Sequence, residues 1–220
     1  MFLSIGKNVH IGKNVHIGKN VHIGKNVVIH NNVEIYDGTY IGDNVEIGQD
    51  TKIYPYSAIG TTAETIIPKK EHGNVIIGKK CIIREFVTIN SSYEDRATII
   101  GDECYLMSKS HIGHDAILDK NAVICTGAKI GGHAVVGKFS YVGLNAITHQ
   151  RSNLGDYCIL GAGCMYKGET NVAGITWVGS PANPIKVNSH NITKNIPDEK
   201  ERQEIATLAQ NFIDNYKRTK

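Results

Sequence analysis

The sequence predicts an all-β fold wound as a stack of short-stranded coils, and three observations predict it. Isoleucine recurs at strict intervals of six, at Ile5, Ile11, Ile17, Ile23, Ile29, Ile35, Ile41, Ile47, Ile53 and Ile59. Val9, Val15, Val21, Val27, Val33 and Val45 each stand two residues ahead of the next position in that series. Gly and Asn fill the gap, as in "IGKNVHIGKNVHIGKNVH". A period of six fits neither a helix nor plain alternation, so it marks a repeat architecture.

One unit explains itself. In "NVHIG", Val9 and Ile11 share a face and His10 points the other way. "GKN" then turns the chain, because Gly and Asn tolerate the left-handed backbone of a tight corner. Strand and corner alternate, so the chain winds with flat sides. Each coil buries its Ile and Val and pairs its backbone with the next coil. Spacing alone leaves the number of sides open.

The series resumes at Ile77, Ile83 and Ile89, slips by one, and runs from Ile100 through Leu106, Ile112, Leu118, Ile124, Ile130, Val136 and Val142 to Leu160. In this second run the companion slot is small: Cys104, Ser110, Ala116, Ala122, Ala128, Ala134, Ser140, Ala146. Cys81, Cys104, Cys158 and Cys164 occupy that slot and read as core. Two polar stretches break the phase, 61–73 and 91–98, and are expected to loop out where partners or substrates meet a rigid scaffold. Residues 1–187 are expected to form the coiled domain. Residues 188–220 are expected to be a linker and about one helix, with Ile205, Leu208, Phe212 and Tyr216 on one face.

Composition narrows the function. A net charge of +3 with no basic run argues against nucleic acid as partner. No apolar run of about 18 residues suggests a membrane span. "MFLSIGKNVH" lacks the apolar core of an export signal, so a cytoplasmic location is the default expectation. Five cysteines without a CxxC pair argue against a disulfide scaffold or a cysteine zinc knot.

The hexads resemble those of the hexapeptide-repeat acyltransferases. That resemblance implies a left-handed parallel β-helix with three sides and 18 residues per coil. With roughly 27 hexads it implies about nine or ten coils and a prism about 45 Å tall. On such coils His10, His16 and His22 point outward from three different sides and cannot converge. His114, His133 and His149 instead fall on three successive coils at one corner, with His111 one step before His114.

The segment 106–150, "LMSKSHIGHDAILDKNAVICTGAKIGGHAVVGKFSYVGLNAITHQ", carries the closest resemblance. Its H-I-x-H-D, G-H and H-Q motifs are similar to those of the UDP-N-acetylglucosamine O-acyltransferases of lipid A synthesis. "IYPYSAIG" and "IREFVTIN" are similar too. The resemblance implies His114 as general base, Asp115 as the carboxylate that orients it, and Gly132 as the backbone N–H facing the thioester carbonyl. It implies that His111, His133, His149 and Asn188 bind the sugar or the nucleotide phosphates. The chemistry agrees: histidine is the usual base near neutral pH, and a glycine corner lets an N–H approach a carbonyl. No G-x-S-x-G nucleophile is present, which favours direct transfer.

Departures from that family bear on the donor. "TTAETIIPKK" lacks its Q-D-x-K run, with Lys69 or Lys70 as substitutes, and "SHNITKNIP" replaces its basic K-R-R segment. "GITWVGSPANPIK" instead looks like the closing coil of acetyl-CoA-dependent members. The expectation is therefore acetyl-CoA as donor, with its phosphates near Lys167 or Lys186, and a nucleotide-linked sugar as acceptor through a hydroxyl or an amine. Acyl carrier protein as donor is the alternative. The resemblance implies a homotrimer and no metal. Two readings of other classes stand beside it: a zinc enzyme of the gamma carbonic anhydrase type, and a non-catalytic β-helix that binds ice or carbohydrate.

Overall fold

The structure is a computed structural model and describes residues 4–66, 73–94 and 96–219. Short strands stack into three parallel sheets of nine, nine and ten strands, one per side of a prism. The first side runs from Ser4–Ile5 to Met165–Tyr166, the second from His10–Ile11 to Glu169–Thr170, the third from His16–Ile17 to Asn183–Val187. Pairing joins residues 18 apart, such as His22 with Tyr40 and Ile112 with Ile130. This is the left-handed β-helix of three-sided coils.

The corners explain the composition. Residues there adopt left-handed backbone with φ between +53° and +61°, beginning with Asn8, Asn14, Asn20, Asn26 and Asn32. Asn and Asp accept this geometry at least cost. They also hold neighbouring coils together: Asn26 accepts from Asn8 at 3.1 Å and donates to Asn44 at 3.0 Å. Between corners, every inward Ile from Ile23 to Ile130 is at most 1% exposed. All five cysteines are buried, and burial pushes the Cys81 thiol up to about 11. His10, His16 and His22 lie on three different sides, as expected, and His22 stacks on Tyr40.

Three expectations are corrected. Ala97 and Thr98 belong to a strand, Ala97–Ile100, and Ser91 and Ser92 are buried, so the break in phase is shorter than expected. The supposed linker holds a helix of its own, α1 (Ser189–Asn195), ahead of α2 (Glu199–Arg218). Leu208 is 64% exposed; α2 docks through Ala209 and Ile213, with Phe212 against Trp177. The small Ala209 lets the helix approach the last coil, which rotates Leu208 out to solvent. The closing strand Asn183–Val187 also reverses direction against Ile175–Val178.

A stability contrast tests which side chains face inward. Ile124→Ala, at a fully buried position, should cost about 2–5 kcal/mol. Ile82→Ala, on the outer surface at 38% exposure, should cost about 0.5 kcal/mol or less. Denaturant midpoints of the two variants measure the difference.

Candidate active site

The corner between the first and second sides turns sequence spacing into columns. Gly113, Gly131 and His149 lie one above another; so do His114, Gly132 and Gln150, and Asp115, His133 and Arg151. Asp115 holds the left-handed corner at φ +57°. From there its Oδ2 accepts a 2.8 Å hydrogen bond from His114 Nδ1. With Nδ1–H committed, His114 Nε2 is the lone pair that can take a proton.

The Asp115 side chain has no solvent exposure. It accepts from the Tyr93 N–H at 2.8 Å and the Glu94 N–H at 3.2 Å, and its own N–H donates to Thr98 Oγ1 at 2.8 Å. Burial pushes its carboxyl upward. Hydrogen bonds from His114 and the two backbone N–H groups outweigh that and hold it below the usual carboxylate range. The carboxylate is thus ionised and fixed, and the Tyr93 ring packs edge-on against His114. The stretch 91–98 was expected to project. The Tyr93 and Glu94 backbone instead lies on the acid, a role that no side chain announces.

Gly132 sits directly over the imidazole. A Cβ there would come within 2.7 Å of His114 Nε2. Its N–H is also available. At comparable corners, the Lys19, Lys25 and Lys138 N–H groups donate to Asp37, Asp43 and Asp156 one coil on. Over Gly132 the next coil offers Gln150, and the Gly132 N–H has no partner among the described residues.

His133 packs perpendicular to His114, ring centroids 5.0 Å apart. Burial depresses its pKa, with the Asp115 charge opposing. His111 shares a 2.8 Å hydrogen bond with Thr88 Oγ1, and burial depresses it too. His149 is exposed, its Nδ1 donating to Gln150 O at 3.2 Å. Lys167 stands one coil above His149.

Two expected residues lie elsewhere in the chain. Asn188 is buried; its amide donates to Tyr157 O at 2.7 Å and its Oδ1 caps α1. Lys186 is exposed on the third side, opposite Thr176. Lys69 and Lys70 lie outside the described residues.

His114, Asp115 and His133 offer ligand atoms within 4.8 Å of one another. They fit a tetrahedral zinc poorly. The 2.8 Å His114–Asp115 contact is a hydrogen bond, whereas zinc with ligands at about 2.0–2.1 Å spaces them by about 3.3 Å.

The bacterial transferase hexapeptide profile, of six repeats, matches residues 3–37, 26–61 and 97–132. An acyl-[acyl-carrier-protein]–UDP-N-acetylglucosamine O-acyltransferase of Helicobacter pylori is 33% identical over 123 residues, covering 55% of this chain and 43% of that protein. The chain spans about half the length of the curated relatives it matches. The UDP-N-acetylglucosamine acyltransferase structure from Bacteroides fragilis covers 93% of this chain and 80% of its own, with 26% identity and a TM-score of 0.65. The O-acyltransferase structure from Moraxella catarrhalis has the same coverage, with 22% identity and a TM-score of 0.72, and shares the fold.

The depressed pKa values carry a sign. His111 and His133 fold as neutral imidazoles, so the stability this contributes is present above the unfolded value near 6.5 and is lost as pH falls through their lower folded values. Titration of the imidazole Cε1 protons by NMR should place both below that of free histidine. A midpoint at or above the free value for either would contradict its burial.

Proposed function

From the premise that its hexapeptide repeats are those of the bacterial transferases, we propose that the chain is an acyltransferase carrying an acyl group from a thioester directly onto a hydroxyl of a nucleotide-linked sugar. The observation that carries this reading is the His114–Asp115 pair beneath an available Gly132 N–H. His114 Nε2 takes the proton as the sugar oxygen attacks the thioester carbonyl. The Gly132 N–H donates to the oxyanion that develops there. Collapse expels the thiolate, which recovers the proton from His114. Asp115 stays ionised and steadies the imidazolium. Buried cysteines with raised thiol pKa values favour this direct route over an acyl-enzyme. His111, His133 and His149 orient the sugar and its phosphates.

The relatives change the weighting of the donor. Sequence motifs favour acetyl-CoA; the activity for which the relatives are named favours acyl carrier protein as donor and UDP-N-acetylglucosamine as acceptor. We adopt that order, with transfer to the sugar serving lipopolysaccharide synthesis. The assembly in this reading is a homotrimer acting in the cytoplasm. No helix among the described residues is long and apolar enough to cross a membrane.

Thiol release from acyl carrier protein thioesters and from acetyl-CoA, each with UDP- and dTDP-sugars, tests the reading. Carrier thioester with UDP-N-acetylglucosamine should be consumed fastest, and no thiol release from any pair would overturn the proposal. His114→Ala should lower turnover by about 10²- to 10⁴-fold, and Asp115→Asn by less, with both variants keeping the native assembly. That assembly should have about three times the 24.1 kDa chain mass. Gly132→Ala, whose methyl meets the imidazole, should cut turnover while leaving thermal stability near that of the parent. Stoichiometric zinc in active protein would favour the metalloenzyme reading instead.

A further inference from the structure

The two ends of the prism are finished differently. At the C-terminal end α2 lies over the last coil, with Ala209 and Ile213 buried and Phe212 against Trp177. At the N-terminal end the strands Ser4–Ile5, His10–Ile11 and His16–Ile17 are each the outermost of their sheet. Their inward side chains are left partly open. Ile5 is 45% and Ile11 43% exposed, whereas Ile23 and Ile29 one coil on are at most 1% exposed. Val9, Val15 and Ile17 are half-buried in the same layer. The end is thus a small apolar disc bounded by three sheet edges.

A ring of like charge surrounds the disc. Lys7, Lys13 and Lys19 each precede the left-handed Asn of one corner of the first coil, and all three are exposed. No salt bridge among the described residues engages any of them. No Asp or Glu occurs before Glu34. The first carboxylates, Glu34 and Asp37, stand one coil higher, where Glu34 pairs with Lys52 and Asp37 accepts from the Lys19 N–H. Lysines six residues apart form no basic run in the sequence; three-sided winding gathers them around one end.

We infer that this end is an interfacial docking face for an anionic lipid surface. Apolar side chains at the centre suit the boundary between headgroups and acyl chains, and long lysine stems let the ammonium groups reach lipid phosphates around it. Charge selects this occupant. A second copy placed end to end would bring six lysines together without a carboxylate between them, and lysines at sheet edges oppose such pairing. A nucleic acid would satisfy the lysines and leave the apolar disc without a partner. The strand carrying His111 lies five coils above Ser4–Ile5, about 24 Å away, so docking leaves the histidine corner clear of the bilayer. The inference goes beyond the acyltransferase reading and does not depend on it.

Co-sedimentation with vesicles tests it. The full chain should sediment with vesicles of phosphatidylglycerol and phosphatidylcholine in equal parts, remain in solution with phosphatidylcholine alone, and be released by salt. The Lys7→Gln/Lys13→Gln/Lys19→Gln variant should bind the mixed vesicles roughly a hundredfold more weakly, at about fivefold per lysine. The Lys200→Gln/Lys217→Gln/Arg218→Gln variant removes equal charge from exposed positions of α2 and should bind like the parent. The Ile5→Ser/Ile11→Ser variant should lose roughly tenfold, and its melting curve checks that the first coil is folded. No sedimentation of the parent with the mixed vesicles, or equal loss in the two charge variants, would overturn the inference. Binding that needs the lysines but not the isoleucines would also overturn it, in favour of a soluble polyanion such as a nucleic acid. Turnover on soluble substrates should be unchanged in the Lys7, Lys13 and Lys19 variant; its absence from the parent would count against the acyltransferase reading alone.

Discussion

A left-handed backbone at the corners governs the rest of this structure. Nineteen non-glycine residues among those described hold φ near +57°, a conformation that costs roughly 1–2 kcal/mol for an ordinary L-residue. Isolated, such a turn would relax. It persists because each coil donates its backbone N–H groups to the coil beside it, as His133 N donates to His114 O and Arg151 N to Gly132 O. Burial of an isoleucine on every side adds to this. The strain is therefore distributed, and every corner is over-determined by its neighbours.

That rigidity is what a base at a corner needs. His114 is held by Asp115, Asp115 by two backbone N–H groups and by Thr98, and the imidazole is roofed by Gly132. None of these groups has to be ordered when substrate arrives, so the cost of positioning has already been met in folding. The electrostatics follow the same plan. Burial holds His133 and His111 neutral, while hydrogen bonds keep the more deeply enclosed Asp115 ionised. The difference lies in the donors aimed at the carboxylate, because burial alone would neutralise all three.

Much of this is written in the sequence because a repeat converts numbering into position. The isoleucine period gives the coil, and residues near 18 apart at 114, 133 and 149 give the corner. What stayed hidden depends on groups without a sequence signal. The Tyr93 and Glu94 contacts to Asp115 come from backbone N–H groups, which any residue carries. Asn188 looked like a ligand residue and serves as a helix cap, a role fixed only once α1 exists. Leu208 fits an apolar stripe as well as Ala209 does, and docking at the small residue decides between them.

The near-identical opening hexads have a consequence for how such a molecule can change. Each coil touches only the coil before it and the coil after it, so the prism behaves as a one-dimensional stack. Gain or loss of a whole 18-residue coil among the repeats around His10, His16 and His22 moves no atom at His114 relative to Asp115 or Gly132. Copying errors there alter the length of a pedestal, whereas a slip of one residue within the unbroken coil from Ile100 to His114 would turn the base to the wrong side. The same regularity makes one end of the chain tolerant and the other exacting.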